Sequence, residues 1–285
     1  MNNLTDTDTT TTTTTLVVGG SGKTGRRVLE RLADRGLPAV SGSRSGERRF
    51  DWDDRSTWEP ALAGVSALYI SYFPDLAAPG AADMVGALAE LAARHGVERL
   101  VLLSGRGEEE AQHAERVVQA AFPATTIVRC SWFAQNFSEG QFIDGILAGE
   151  LALPVGDIGE PLVDADDIAD VAVAALTEDG HEGQLYELTG PRLLRFDEAV
   201  EEIAQATGRP IRFVSVPAED FAAQMREEQV PDDVLWLVGY LFTEVLDGRN
   251  AYLADGVQRA LGRPPRDFAD YARDVAATGV WEPAS

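Results

Sequence analysis

The sequence predicts an α/β protein: a doubly wound parallel sheet followed by a smaller, mainly helical C-terminal substrate lobe. Three observations predict it. A glycine-rich loop, Gly19-Gly20-Ser21-Gly22-Lys23-Thr24-Gly25, follows the short apolar run Leu16-Val17-Val18 and precedes a helix-like stretch. Strand-like runs then alternate with helical patterns through the first half, the βα rhythm of a parallel sheet. The length of 285 residues, with 45% hydrophobic content, suits one large α/β unit carrying a small lobe.

Glycines in a strand-to-helix turn let the backbone approach a pyrophosphate. The helix that follows offers the anion unpaired N–H groups and a partial positive charge. Gly20, Gly22 and Gly25 match G-x-G-x-x-G, and Gly19, Gly22 and Gly25 match the looser G-x-x-G-x-x-G. Dinucleotide binding on a Rossmann sheet is therefore the leading expectation. Gly22-Lys23-Thr24 also imitates the end of an ATPase P-loop, but that motif requires a glycine where Val17 stands.

The first strand is expected at 16–18 and its helix at 26–34, with Gly36 as the C-terminal stop. Strands follow at 39–41, 49–51, 67–71, 99–104 and 125–129, and helices at 81–95, 108–121 and 133–149. The cluster Asp164-Ala165-Asp166-Asp167 reads as an N-cap with acids complementing the dipole of a helix that runs to Leu176. A calcium loop would need a glycine and a distal glutamate that are missing. Strands at 185–188 and 211–216 and helices at 196–207, 218–228, 232–246 and 267–278 complete the chain. The expected organisation is a disordered threonine-rich tail over 1–15, its last threonines joining the first strand, a nucleotide-binding domain over 16–152 and a substrate lobe over 153–285. Parts of 160–190 are expected to return to the first domain.

A formal net charge of −23 favours solubility and argues against nucleic acid, anionic membranes or other polyanions as partners. Between positions 23 and 49 the balance reverses, with eight basic residues against three acids. Of these, Arg26, Arg27, Arg31 and Arg35 read as a solvated helix face, whereas Arg44 reads as a ligand contact. The single cysteine, Cys130, excludes an internal disulfide and suits a cytoplasmic location. No signal peptide or membrane-length apolar run is visible. His95, His113 and His181 lack metal-ligand spacing, so no metal is expected.

In a Rossmann domain the end of the second strand meets the adenosine ribose. An acid there selects NAD, whereas a basic residue accommodates the 2′-phosphate of NADP. Here the segment reads Ser41-Gly42-Ser43-Arg44-Ser45, with no acid. A guanidinium flanked by hydroxyls suits a phosphate, with Arg48 or Arg49 as helpers, so NADP(H) is favoured over NAD.

With these residues in hand, the chain resembles the NmrA-like group of atypical short-chain dehydrogenase/reductases. The matching features are the glycine loop, the turn Ser43-Arg44-Ser45, Asp51-Trp52, Leu103-Ser104-Gly105, Trp132-Phe133-Ala134-Gln135-Asn136-Phe137 and Val163-Asp164-Ala165-Asp166-Asp167-Ile168-Ala169. The resemblance implies that Asp51 and Trp52 flank the adenine, while Ser71, Tyr72, Phe73 and Pro74 line the cofactor. It also implies that Ser104 and the loop Trp132, Phe133 and Asn136 approach the nicotinamide. Strand-end capping for the serines and core packing for the aromatics are the alternatives.

One departure bears on mechanism. Standard short-chain dehydrogenases pair a tyrosine with a lysine four residues on, the lysine lowering the phenol's pKa for proton transfer. Lys23 is the only lysine in the sequence, so that dyad is absent. No tyrosine occurs between Tyr72 and Tyr186, and the usual region reads Glu108-Glu109-Glu110-Ala111-Gln112-His113. His113 and Tyr72 are the candidate proton-transfer groups, with a solvated histidine as the plain alternative. The sequence thus reads as an NADPH-dependent oxidoreductase acting on a small apolar or aromatic acceptor (a quinone, enone or imine). The aromatic-rich segments 69–73, 132–137 and 236–242 are expected to wall its pocket. A non-catalytic NADP(H) redox sensor and a biosynthetic isomerase or dehydratase stand as alternatives.

Overall fold

Seven strands form one wholly parallel sheet in the computed structural model, which describes residues 14–283. In chain order the first half runs β1 (Thr14–Val18), α1 (Lys23–Asp34), β2 (Ala39–Ser43), β3 (Arg48–Arg49), α2 (Trp58–Ala61), β4 (Val65–Ile70), α3 (Ala81–Arg94), β5 (Arg99–Gly105), α4 (Glu109–Ala121) and β6 (Thr126–Cys130). The second half runs α5 (Asn136–Glu139), α6 (Ile143–Ala148), β7 (Glu150–Leu153), β8 (Gly159–Glu160), α7 (Ala165–Thr177), β9 (Leu185–Leu188), β10 (Leu194–Arg195), α8 (Phe196–Thr207), β11 (Arg212–Ser215), α9 (Ala218–Glu227), α10 (Asp232–Tyr240), α11 (Gly256–Leu261) and α12 (Phe268–Ala277).

The sheet order is β3-β2-β1-β4-β5-β6-β9, so the winding reverses between β1 and β4. The central strands are buried on both faces, which accounts for their unbroken apolar sequences. Side chains alternate between faces along a strand. Leu16 and Val18 therefore pack with α3 and α4, while Val17 packs with α1 and α7. Residues Thr14 and Thr15 open β1; the remainder of the expected tail lies outside the described residues.

A second core gathers Phe137, Phe142, Leu151, Leu153, Phe196, Phe242, Phe268, Tyr271 and Trp281. Its frame is the parallel pair β7–β11 with α8 and α12 packed against each other. Between these elements the chain returns to the main sheet: β9 pairs with β6, and α7 packs on α1. Among the described residues, no helix is long and apolar enough to cross a membrane.

Three expectations need correction. The helix expected over 133–149 is broken into α5 and α6, because Gly140 adopts an extended conformation between them. The helix expected over 232–246 ends as α10 and passes into a π-helical turn over Leu241–Val245. The arginines of α1 are a solvated face only in part: Arg35 is exposed, whereas Arg27 and Arg31 are largely covered. Arg26 and Arg27 pair with Glu139, Arg27 and Arg31 with Asp166, Arg31 also with Asp170, and Arg35 with Glu178. The acid cluster thus does two jobs. Asp164 caps α7 by accepting from the Asp166 N–H, while its neighbours tie α7 to α1.

Trp281 anchors the second core near the C-terminus, with its indole N–H donating to the Phe137 carbonyl at 2.8 Å and its side chain 1% exposed. Trp281→Ala should lower unfolding stability by about 3–5 kcal/mol, read as a shifted urea midpoint, because it opens a cavity and strands that carbonyl.

Candidate functional site

The glycine loop is packed too tightly for side chains. A Cβ on Gly25 would lie 2.2 Å from the Gly19 carbonyl oxygen, and one on Gly19 would lie 2.8 Å from that of Ser71. The Gly22 N–H donates to Gly19 O at 2.9 Å, folding the loop into a tight turn. Gly22 caps α1 without a side-chain hydrogen bond, and the helix has no acid in its first turn. The N-terminus of α1 therefore keeps its N–H groups and partial positive charge for a ligand. Ser21 is exposed beside this turn. These features fit a dinucleotide pyrophosphate.

At the end of β2, Ser43 is half-buried and Arg44 is exposed, making no ion pair with any described residue. Arg48 is engaged differently, donating to the carbonyls of Ala61 and Ala63 at 2.8 and 2.6 Å. Asp51 and Trp52 lie next along the chain. The Trp52 ring packs 4.9 Å from Phe50, 5.6 Å from Trp58 and 4.7 Å from Tyr72. An aromatic wall therefore stands close to Arg44 in sequence.

Beyond the ends of β4 and β5 lies a cavity of about 380 Å³. Lys23, Ser71, Tyr72, Ser104, Trp132, Phe133 and Asn136 all line it, so the structure brings together residues from distant parts of the sequence. The Lys23 ammonium donates to Asn136 Oδ1 at 3.1 Å and is lowered in pKa, chiefly by burial. Trp132 is half-buried between the cavity and the second core, 5.2 Å from Phe242. The roof comes from Val234, Leu237, Val238 and Leu241 on α10 and the turn after it.

Several candidates sit elsewhere. The Thr24 side chain faces the sheet, its hydroxyl accepting from Tyr69 at 2.9 Å, so it is turned from any phosphate. Phe73 is 75% exposed and is not part of the cavity wall. Ser104 lines the cavity, yet its hydroxyl donates to the buried Glu115 at 2.5 Å. His113 is exposed on α4, two positions before Glu115, and a helix turns about 200° over two residues. Because Glu115 faces the sheet, His113 faces away and is not brought to the cavity. Tyr72 does line it, but burial and then Asp53 push its phenol pKa upward, making it a weaker acid. Of the expected aromatic walls, Tyr69 and Phe137 are fully buried core, and Trp236 is exposed outside this cavity.

Residues the sequence reading passed over also line the cavity: Asp75, Arg106, Glu108 and Gln141. Glu108 was visible as the first of three glutamates, read as a helix start. Its extended backbone leaves it outside α4 as the N-cap. Arg106 is 2% exposed, its guanidinium 4.3 Å from the Tyr252 ring centroid and 3.8 Å from Glu187. No group of histidine, cysteine and acidic side chains suited to a metal occurs among the described residues.

No known family model matches the chain. It is 32% identical to an agroclavine dehydrogenase of Claviceps fusiformis, over 91% of this chain and 96% of that protein. It is 30% identical to an NAD(P)H azoreductase of Xenophilus azovorans, over 92% of this chain and 98% of that one. The fold matches an NADPH-dependent quinone oxidoreductase of Escherichia coli, solved with NADPH, at a TM-score of 0.74 and 19% identity, covering 92% and 99% of the two chains. It also matches NmrA, a negative transcriptional regulator, at a TM-score of 0.67 and 17% identity, covering 93% and 96%.

Cys130 ends β6 against the cavity, 4% exposed, and burial pushes its thiol pKa well up. In the native protein at about pH 8 it should resist iodoacetamide and react fully only in denaturant, as followed by mass spectrometry.

Proposed function

The chain belongs to the NmrA-like family of atypical short-chain dehydrogenase/reductases, and on that premise we propose that it is an NADPH-dependent reductase of a small conjugated acceptor, quinone-, enone- or imine-like. The observation that carries this reading is a convergence at the β1/β4 switch point. The uncapped, acid-free N-terminus of α1, the unpaired Arg44 and the largely apolar cavity lie along one edge of the sheet. Open α/β sheets bind ligands in that crevice.

In this reading the glycine loop and the first turn of α1 hold the pyrophosphate. Ser43 and Arg44 take the 2′-phosphate, and Asp51 with Trp52 borders the adenine. Ser71, Tyr72, Ser104, Trp132, Phe133 and Asn136 orient the nicotinamide end and the acceptor. When bound, the reduced nicotinamide supplies a hydride. Apolar side chains of α10 cover one side of the cavity, and Lys23 with Asn136 fixes the junction between α1 and the second lobe.

A conjugated acceptor suits a site without the tyrosine–lysine dyad, because its reduced oxygen or nitrogen spreads charge over the π-system. Support for this class also comes from the relatives, whose names include an azoreductase, and from the quinone oxidoreductase of the same fold. A cavity walled by apolar and aromatic side chains beside the nucleotide crevice favours catalysis over mere nucleotide sensing, which would not require one.

Mixing the protein with NADPH or NADH and a panel of quinones, enones and imines should give oxidation at about 340 nm with NADPH preferred. Tight NADPH binding with no turnover across the panel would instead support a sensor. Arg44→Ala should weaken NADPH binding by roughly 10–100-fold, the worth of a charge-assisted pair, and leave NADH nearly unchanged. Equal losses for the two nucleotides would remove Arg44 from the 2′-phosphate site.

A further inference from the structure

The cavity contains an acid pair to which the reductase reading gives no task. Glu108 comes from the loop between β5 and α4, and Asp75 from the loop between β4 and α3. Glu108 is 8% exposed, and Oε2 of its carboxyl receives no hydrogen bond from any described residue. Its carboxyl packs over Gly105, where a Cβ would fall 2.0 Å from Oε1. Asp75 is half-buried, with Oδ1 accepting from the Ala77 N–H at 2.8 Å. Asp75 and Glu108 line the same cavity, and each carboxyl bears on the other's ionisation. Two carboxyls in one desolvated cavity disfavour double ionisation, which favours one of them carrying a proton.

We propose that the Asp75–Glu108 pair stores a single proton in the cavity and that Glu108 delivers it to the oxygen of a conjugated carbonyl acceptor. This rests on the reductase reading and narrows its substrate class to quinone- and enone-like compounds. As hydride adds at carbon, the displaced π-electrons move to the acceptor oxygen. The Glu108 O–H bond breaks as the new O–H bond forms, and the carboxylate left behind is reprotonated from water through Asp75. The balance is acceptor, NADPH and one proton giving the dihydro product and NADP⁺.

The surroundings favour the protonated acid. Burial, then the negative charge of Asp75 and of Glu115 on α4, holds the Glu108 carboxyl well above the usual carboxylate range. From α10, Tyr240 faces the same acid, and its phenol is itself raised by burial and by Glu108. Neither nearby guanidinium neutralises the pair: Arg106 lies against Glu187 and Tyr252, and Arg249 binds Asp247. The donor is loaded at low pH and lost as pH rises through its elevated pKa.

The test compares an enone with a triarylmethyl cation dye, which needs only hydride. Glu108→Gln should lower kcat/KM for the enone by about 10²–10⁴-fold and, since Glu108 also lines the cavity, lower that for the dye far less. In the wild type, enone reduction should fall at high pH along a limb that the dye lacks. Asp75→Asn removes the like charge, so that limb should move to lower pH, a change that a purely structural role would not produce. Independently of turnover, difference infrared spectra of the nucleotide-free protein near neutral pH should show a carboxylic acid C=O band that Glu108→Gln abolishes. Equal losses on both acceptors, or absence of that band, would overturn the proposal. Failure of the wild type to reduce either acceptor would sink the reductase reading instead, leaving the infrared band to decide whether the pair holds its proton.

Discussion

Contact between the first turn of α1 and the loop that precedes it is the constraint on which the site depends. With Gly25 seated against the Gly19 carbonyl, the helix starts as close to β1 as a backbone permits. That closeness aims the free N–H groups of α1 at the crevice where the sheet reverses its winding. The same seating places Lys23 at the first helical position, within reach of Asn136, so the start of α1 also locates the loop after β6. Any side chain at Gly25 would push the helix away and separate these elements together.

A second layer of constraint is electrostatic. Arginines along α1 meet acids on α5 and α7, and Arg263 extends the network by pairing with the fully buried Asp167 and with Asp170. Exposed ion pairs contribute little individually, but here they run along one helix–helix interface. On the other side of the cavity, Glu115 accepts from Ser104 and from Arg129, which also reaches Glu187. This chain of partners fixes the rotation of α4. That rotation turns His113 outward, while the extended N-cap leaves Glu108 in the cavity.

Much of the architecture was legible from local patterns. The glycine spacing, the apolar runs of β1, β4, β5 and β6 and the helix stop at Gly36 each depend on residues close in sequence. So did the capping of α7 by Asp164. Legibility failed where an element's fate depended on a distant partner. Gly140 is a local mark of the break between α5 and α6 but does not by itself dictate one, and the arginine stripe of α1 looks the same whether it faces water or α7. Thr24 and Ser104 have the right chemistry for a ligand but spend their hydroxyls on Tyr69 and Glu115. Glu108 looked like one of three equivalent glutamates until the loop's backbone set it apart.

The sequence by itself determined the parallel dinucleotide-type sheet, the loop suited to a pyrophosphate and the absence of a tyrosine–lysine dyad. Periodicity, glycine spacing and residue counts are properties of the chain alone. Only the tertiary structure decided which acids meet in the cavity, which hydroxyls are already committed and which arginine is left unpaired. Those outcomes depend on distance and desolvation between residues far apart in sequence, and neither quantity exists until the two lobes close around the cavity.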